Sequence, residues 1–374
     1  MPEFVSSALF VYNCETSHVA EELQENSHGV GITAVACDEL LRDPGRVLRD
    51  FRHVVVSGTM VEIKAVLNLA REHKFSVGIV PLPSQRDLVR AYDLPVKTAD
   101  AIELALQKDA QAIDLVLCND QIMLHRAVVG RLPLLDSNRE TGRFEMIIQA
   151  VKKLSGLSLL DFTFSSGEDN QVKTAACGCM VMQHQAGSLA TRSLAQYSSV
   201  HDGMATLIIS SPSSIIGYLK FLMHTLNIFG HRSTRLPSTV GYIKDSTIDI
   251  ESGAELKVDI DGESSTQLPL HCEVIPEAVS LNVGEKLAER IRESGSVKAK
   301  TDTRNLPTGK DELAKALKKG IPFFAYASEE RFRDLFLALR DDARLNGTFL
   351  VLMLLSTMLA TVGLYQNSSA VVIG

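Results

Sequence analysis

The sequence predicts an α/β domain, then an antiparallel β-sandwich domain, a helical connector and the first transmembrane helix of a membrane domain. Three observations predict this order. Short β-prone runs alternate with helical patterns up to residue 140, and short β-prone segments separated by Gly, Ser, Asp and Asn follow up to residue 284. The last thirty residues contain no Asp, Glu, Lys, Arg or His. Alternating strands and helices are typical of a parallel sheet, whereas short strands between frequent turns are typical of a sandwich or barrel.

The composition is that of a folded protein without a nucleic-acid-binding surface. Apolar residues make up 45% and charged residues 22% of the chain, and the formal net charge is -7. This acidic balance excludes the basic footprint that nucleic-acid binding requires. The six cysteines include no CxxC pair, so reduced, mostly buried thiols fit better than a metal site. The composition leaves a homo-oligomer open.

The α/β domain is predicted over residues 1–140. The β-prone runs are residues 8–12, 53–57, 77–81 and 113–118. The helical patterns between them cover residues 35–50, 60–74 and 98–109. This spacing predicts βαβ units with helices on both faces of the sheet.

The β-rich second domain is predicted over residues 141–284, followed by a charged helical connector over 285–346. The β-prone segments of the second domain are residues 157–164, 174–183, 205–210, 239–242, 247–250, 255–260 and 270–275. One helical interruption, 212–229, carries an apolar stripe. The connector is interrupted at 294–309 by a polar stretch with a proline.

Residues 347–374 are predicted to begin a truncated transmembrane domain. Residues 348–365 are mostly Leu, Met, Val and Ala, and a bilayer core about 30 Å thick needs roughly twenty apolar helical residues. Four arginines precede the run, at positions 331, 333, 340 and 344. Because cytoplasmic flanks are rich in basic residues, the expected location is the inner (cytoplasmic) membrane, with the N-terminal domains in the cytoplasm. The alternative interpretation is a buried core helix.

One loop of the α/β domain has the pattern of a phosphate-binding turn. A strand ends near Val56, Gly58 opens a turn, and Thr59 and Glu62 form the outline of a capping box at the start of a helix. The unpaired N–H groups of such a helix start can hold a phosphate. A single glycine is also what many strand-to-helix turns need for their geometry alone.

Further motifs follow this loop in a recognisable order. They are Pro81-Leu82 with Asp87, then Asp202-Gly203, and then Asp261-Gly262-Glu263. Together with Asn13 and the Gly58 loop, they resemble the bacterial diacylglycerol/sphingosine-type lipid kinase catalytic family over about residues 5–284. The resemblance implies a nucleotide-binding α/β domain and a β-rich domain with the active site between them.

The resemblance also implies roles for individual residues. Asp261 would be the general base that takes the proton of a substrate hydroxyl, Glu263 would help to place the metal, and Asp202 would bind it. ATP and Mg²⁺ would be the cofactors, and a membrane lipid or phosphorylated small molecule would be the partner. The implied nucleotide-binding residues are Asn13, Ser57, Gly58, Thr59, Glu62, Pro81 and Asp87.

The chain departs from the family pattern in both glycine-rich loops. Val55 and Val56 stand where the family has glycines, Ser57 replaces a carboxylate, and residues 83–86 replace Gly-Thr-Gly-Asn. Because phosphoryl transfer depends on positioning and charge neutralisation, each lost stabiliser typically costs about 10²–10³ in rate. The Asp-Gly pair at 261 also suits an ordinary hairpin turn.

These departures favour a regulatory function over catalysis. The favoured hypothesis is a cytoplasmic lipid-kinase-like module, a pseudokinase, of a bacterial membrane protein that binds a nucleotide or phosphorylated ligand and regulates the attached membrane domain. The alternative is an active Mg-ATP-dependent lipid kinase that phosphorylates a diacylglycerol-like hydroxyl. A third hypothesis is a structural or assembly domain of a transporter or channel. The stretch after about residue 309 resembles the start of a family of uncharacterised bacterial multi-helix membrane proteins.

Overall fold

The computed structural model describes most of the first 325 residues and one helix beyond them. The described residues are 3–13, 16, 19, 22–23, 29–132, 158–167, 170–183, 202–212, 214–218, 240–293, 300–303, 306–318, 321 and 347–366. The chain divides into two compact units, Met1–Ala325 and Tyr326–Gly374. Each unit is described by itself below.

The first unit begins with a parallel sheet, as the sequence predicts. Its strands are β1 (Ser7–Tyr12), β2 (Gly31–Ala36), β3 (His53–Ser57) and β4 (Ser76–Ile79). They pair in parallel in the order β2-β1-β3-β4. The helices are α1 (Cys37–Arg42), α2 (Pro44–Val47), α3 (Met60–His73), α4 (Arg86–Ala91) and α5 (Thr98–Ala105).

Helices cover both faces of this sheet because its central strand is apolar on both sides. All five residues of β3 are buried, as expected of a parallel strand between two layers of helix. On one face, Val54 and Val56 lie in a core with the buried stripe of α3. On the other face, Val55 packs with Phe10 of β1 and Ile102 of α5. The carboxyl ends of β1 and β3 are thereby fixed side by side.

The rest of the first unit is mainly antiparallel. Its first strands are β5 (Gln111–Cys118), β6 (Gln121–Met123), β7 (Arg126–Gly130), β8 (Leu160–Ser166), β9 (Asn170–Ala176), β10 (Gly178–Met182) and β11 (Ala205–Ser210). Its later strands are β12 (Val240–Asp245), β13 (Thr247–Ser252), β14 (Lys257–Ile260), β15 (Glu263–Gln267), β16 (Leu270–Leu281) and β17 (Lys300–Asp302). Seven of these strands form a second sheet in the order β15-β14-β7-β10-β11-β12-β17.

Strand β16 joins the parallel and antiparallel parts into one ten-stranded sheet. It pairs in parallel with β4 at one end and antiparallel with β5 and β13 along its length. The antiparallel half of this sheet contributes Val116, Phe162 and Ile250 to a core that also contains Val129 and Leu207 of the second sheet. The predicted α/β fold with a second, antiparallel sheet is confirmed. The predicted boundary at 140/141 lies outside the described residues.

The predicted connector contains two helices and one strand within the described residues. They are α6 (Glu285–Glu293), α7 (Lys310–Lys318) and β17. Helix α6 packs Leu287, Ala288 and Ile291 into the same core as α3. Of the helical interruption predicted at 212–229, residues 215–218 are helical and residues 219–229 lie outside the description.

The second unit contributes helix α8 (Gly347–Tyr365) to the description. In the part of the chain that the structure describes, no helix is both long enough and apolar enough to cross a membrane. Helix α8 ends at Tyr365 after nineteen residues, or about 28 Å at 1.5 Å per residue. The transmembrane helix predicted for residues 347–374 is therefore not supported. The four preceding arginines lie outside the described residues, and the membrane location stays a prediction.

Candidate functional site

A polar cluster lies where β1 and β3 end. The parallel register pairs Tyr12 with Ser57, so the residues that follow the two strands emerge at the same edge. In open α/β sheets this carboxyl edge is where ligands bind. We call this group the edge cluster; it consists of Asn13, Thr16, Ser57, Gly58, Thr59, Glu62 and Gln85.

Thr59 and Glu62 form the predicted capping box at the start of α3. The backbone N–H of Glu62 donates to Thr59 Oγ1 at 3.4 Å, and the backbone N–H of Thr59 donates to Glu62 Oε2 at 2.7 Å. The Thr59 hydroxyl also lies 2.9 Å from Glu62 Oε2. These bonds satisfy N–H groups that a helix start otherwise leaves without partners.

Asn13 and Thr16 tie the first strand to this helix start. Asn13 Nδ2 donates to Glu62 Oε2 at 2.8 Å, while Asn13 Oδ1 accepts from the Thr16 N–H at 3.0 Å. The Thr16 hydroxyl donates to the carbonyl of Ser57 at 2.8 Å. Five of the seven residues predicted to bind nucleotide, Asn13, Ser57, Gly58, Thr59 and Glu62, are thus brought together.

The Glu62 carboxylate lies against Gly58. A Cβ atom added to Gly58 would be 2.5 Å from Glu62 Oε2, so a larger residue at this position would push the Glu62 carboxylate aside. The negative carboxylate already occupies the Thr59 N–H. A phosphate must therefore displace the Glu62 carboxylate or bind beside it. Ser57 is buried, and its hydroxyl has no hydrogen-bond partner among the described residues.

The second predicted turn is bonded to this loop by a residue that the sequence did not single out. Gln85 Nε2 donates to the carbonyl of Gly58 at 2.7 Å, and Gln85 Oε1 accepts from the Leu82 N–H at 2.9 Å. Pro81 lies in the same turn, directly after β4. The only sequence signal for Gln85 is its place in a turn that the family resemblance marks.

Asp261 lies in the turn between β14 and β15, with a side chain fully removed from solvent. Its carboxylate accepts the backbone N–H groups of Leu124 and His125 at 2.8 Å and of Arg126 at 3.1 Å. Lys64 Nζ of α3 lies 2.8 Å from Oδ2, and His125 Nδ1 lies 2.9 Å from Oδ1. Both carboxylate oxygens are therefore surrounded by donors from the protein itself.

These neighbours keep Asp261 ionised. Burial alone would raise the pKa of Asp261, but His125, Lys64 and the N–H of Leu124 outweigh it and hold the pKa of this carboxyl well below its usual range. A general base must reach the proton that it accepts within hydrogen-bond distance. In this arrangement the Asp261 carboxylate reaches protein donors only, and its implied role as general base stays a prediction.

Asp87 belongs to the surroundings of Asp261 rather than to the edge cluster. Its carboxylate lies 4.0 Å from His125 Nε2, 3.9 Å from Arg126 and 3.8 Å from Arg90. Together with Asp261 and Lys64 these residues form what we call the ion-pair cluster. It connects α3 and α4 of the α/β part with the β14–β15 turn of the second sheet. Glu263, two residues after Asp261, is exposed at the start of β15.

Asp202 is paired with a lysine. Lys244 Nζ on β12 contacts Asp202 Oδ2, and both side chains are buried. The N–H of Met204 donates to Asp202 Oδ1 at 3.1 Å. Among the residues that the structure describes, no group of three or more His, Cys, Asp and Glu side chains is placed to hold a metal ion. The charge of Asp202 is already balanced by Lys244, and its implied role as a Mg²⁺ ligand stays a prediction.

The charge partners of the two aspartates could not be found from sequence. Lys64 and Lys244 carry no local motif, and each lies far along the chain from its partner. His125 and Arg126 follow a short strand and resemble any polar residues after a turn. The fold alone brings them to Asp261 and Asp87.

Comparisons with known proteins agree with the motif order. No family model matches the chain. The chain is 21% identical over 245 residues to a diacylglycerol kinase of Staphylococcus carnosus, covering 63% of this chain and 78% of that protein. It is 22% identical over 240 residues to a diacylglycerol kinase of Staphylococcus haemolyticus, covering 62% and 71%.

Solved structures show the same fold. The crystal structure of a diacylglycerol kinase from Bacillus anthracis superimposes with a TM-score of 0.52 at 14% identity, over 75% of this chain and 98% of that chain. A second crystal structure from the same organism gives a TM-score of 0.58 at 15% identity, over 77% and 98%. The resemblance to the lipid kinase catalytic family is confirmed, whereas the second resemblance, at the C-terminal segment, stays a prediction.

Proposed function

We propose that this relative of the bacterial diacylglycerol kinases is a ligand-binding module that holds a nucleotide or a phosphorylated lipid at its edge cluster without transferring a phosphoryl group. The observation that carries the proposal is the state of Asp261. Its carboxylate is fully buried and already bonded to three backbone N–H groups and Lys64. A carboxylate in this state has neither access to a substrate hydroxyl nor the basicity to accept its proton.

The charge pairing of Asp202, the implied metal ligand, supports the same proposal. Phosphoryl transfer requires Mg²⁺ to neutralise the charge that develops between the phosphates. Asp202 is neutralised by Lys244 instead. This lysine supplies a fixed positive charge to the carboxylate, which then has little affinity left for a divalent cation.

The edge cluster supports ligand binding at the carboxyl edge of the parallel strands. Helix α3 begins there, and a helix N-terminus favours an anionic group. Glu62 occupies the nearest N–H group, so binding of a phosphate costs the displacement of this carboxylate. We therefore expect weak binding. Arg86, at the exposed start of α4, adds positive charge close to the same turn. When bound, ATP would supply the phosphate groups that this edge recognises.

The alternative, an active lipid kinase, is favoured by one feature. The Asp-Gly-Glu turn is intact, and Glu263 is exposed beside Asp261. Catalysis would then require a second conformation in which Asp261 leaves Lys64 and reaches the solvent. Since the relatives are diacylglycerol kinases, the substrate in that case would be a lipid with a free hydroxyl.

Isothermal titration calorimetry of the full chain with Mg-ATP tests the binding proposal. We expect saturable binding with a dissociation constant below about 1 mM, which corresponds to about -4 kcal/mol. Gly58→Val should weaken it, because the new side chain takes up space at the loop and pushes Glu62 aside. Titration with diacylglycerol phosphate in vesicles distinguishes a lipid ligand from a nucleotide.

Gly253→Val is the matched control, since no atom lies within 4 Å of a Cβ added to Gly253. It should bind Mg-ATP as the natural chain does. Absence of heat with both ligands would refute the binding module. Equal binding by the Gly58→Val variant would place the ligand elsewhere.

A further inference from the structure

Two buried cysteines face each other across the β5–β16 strand pair. Cys118 at the end of β5 is directly opposite Cys272 on β16. Their sulfur atoms are 3.0 Å apart, and both residues are buried and reduced. Neither cysteine takes part in the edge cluster or the ion-pair cluster.

The strand geometry places this pair where a disulfide fits. The neighbouring pair, Asn119 and His271, is hydrogen-bonded, because the Asn119 N–H donates to the His271 carbonyl at 2.9 Å. Opposite pairs in antiparallel strands alternate, so Cys118 and Cys272 form a non-hydrogen-bonded pair, whose Cα atoms lie about 4.5 Å apart. Disulfides span Cα separations of about 4.4–6.8 Å. Closing the bond therefore requires only a small rotation of the two side chains.

We propose that Cys118 and Cys272 are a redox modification site that forms a cross-strand disulfide when the protein meets hydrogen peroxide. The thiolate of one cysteine attacks a peroxide oxygen, the O–O bond breaks, and a sulfenic acid forms with release of water. The second sulfur then attacks the sulfenic sulfur and displaces a second water. In total, two S–H bonds and one O–O bond break, one S–S bond and two O–H bonds form, and peroxide takes up the two electrons.

The surroundings make this oxidation slow and its product long-lived. The hydrogen bond with Cys272, followed by burial, raises the pKa of the Cys118 thiol well above its usual value. Because only the thiolate is reactive, oxidation must wait until the end of the β5–β16 ribbon opens. The same burial shields the finished disulfide from reductants. Met123 Sδ, 3.9 Å from Cys118 Sγ, and Cys179 belong to the same core.

A bond at this position would lock the strand that holds the two parts of the first unit together. Strand β16 pairs with β4 of the parallel part and with β13 of the sandwich. The two cysteines are 154 positions apart in sequence, and a cross-link over so long a segment restricts the unfolded chain strongly. Oxidation should therefore raise the melting temperature.

Peroxide treatment of the full chain, followed by unfolding, alkylation and peptide mass spectrometry, tests the proposal. The expected product has lost the mass of two hydrogen atoms and yields a peptide that joins Cys118 to Cys272. Its melting temperature is raised, and unfolding in dithiothreitol followed by refolding reverses the rise, because the reductant reaches the disulfide in the unfolded chain. Cys118→Ala and Cys272→Ala should each abolish the joined peptide, and Cys179→Ala is the matched control that retains it.

If a variant fails to fold, the peptide analysis of the natural chain alone tests whether the disulfide forms. Full alkylation of both cysteines after peroxide treatment would overturn the proposal, as would a joined peptide that involves another cysteine. A joined peptide without any rise in melting temperature would overturn the inference that the disulfide stabilises the pairing of β16.

Discussion

Five nitrogen atoms surround the Asp261 carboxylate: those of three backbone N–H groups, Lys64 Nζ and His125 Nδ1. Such a buried pair contributes less than its Coulomb attraction suggests, because both charges lose their hydration. Breaking it is costly nonetheless, since the remaining charge stays buried without compensation. The residue is therefore a stability determinant whatever its chemical role.

Replacement of Asp261 by Asn should destabilise the protein strongly. The amide keeps the size of the side chain but leaves the Lys64 ammonium, which is 16% exposed, without its counter-charge. Loss of one partner of a buried ion pair typically costs about 3–5 kcal/mol. Urea unfolding followed by circular dichroism measures this cost.

Asp249→Asn is the control for this substitution. Asp249 pairs with His271 at 2.6 Å, but both side chains are about half exposed. Exposed pairs contribute about 0–1 kcal/mol, so this variant should differ little from the natural chain. Equal stability of the two variants would show that the ion-pair cluster does not determine the stability of the fold.

The pH dependence of stability should report the same carboxylate. The folded protein lowers the pKa of Asp261 below its unfolded value, so the contribution is complete above the unfolded pKa of about 3.9 and is lost as the pH falls towards the folded pKa. Below about pH 4 the stability difference between the natural chain and Asp261→Asn should shrink by up to about 1.4 kcal/mol per pH unit. Urea midpoints from pH 7 to pH 3 measure the difference, and a constant value would contradict the account.

The candidate site was predictable from sequence only where its residues are local. Asn13 and the Gly58 loop follow two neighbouring parallel strands, so their meeting follows from the strand order. The partners of Asp202 and Asp261 come from distant parts of the chain, and no spacing rule predicts them. Asp202 is paired with Lys244, and its implied role as a metal ligand stays a prediction.

At the scale of elements, helix α3 connects the two clusters. Its first turn carries the capping box with Thr59 and Glu62, and Lys64, in the following turn, contacts Asp261. The start of this helix therefore fixes both the edge of the sheet and one side of the ion-pair cluster. A change of the cap should affect stability and ligand binding together.

Thr59→Ala should lower the free energy of unfolding by about 1 kcal/mol, since it removes the side chain that accepts the Glu62 N–H. Thr98→Ala is a matched control: Thr98 opens α5, a helix with no side-chain capping bond. Urea denaturation of both variants measures the difference. A Thr59→Ala variant as stable as the control would contradict the capping role.

Sequence segments with a clear helical or β-branched pattern predicted their helices and strands correctly, whereas segments with a weak pattern did not. The helix predicted at 60–74 is α3, and the β-branched run at 53–57 is β3. The single helix predicted at 35–50 is instead divided, because Pro44 cannot continue α1 and starts α2. Strand β2 was not predicted because it lies at the sheet edge and none of its residues is fully buried, so its sequence shows no buried alternation.

At the scale of the whole molecule, β16 makes the predicted pair of domains share one sheet. Its twelve residues pair with strands of both parts. The sequence pattern predicted a strand at 270–275 but not its extension to Leu281, because Pro276 interrupts the run. A bulge between Ile275 and Val279 accommodates the proline and lets the strand continue to β4.

Transfer of labelled phosphate from Mg-ATP to diacylglycerol in vesicles tests the central claim most directly. The full chain, Asp261→Asn and Asp249→Asn are compared with a blank without protein. The account predicts that the natural chain forms no more phosphorylated lipid than the blank. The account would be contradicted if the natural chain and Asp249→Asn both transferred phosphate and a folded Asp261→Asn variant transferred it about 10²–10⁴-fold more slowly. That result would identify Asp261 as the base of a working lipid kinase.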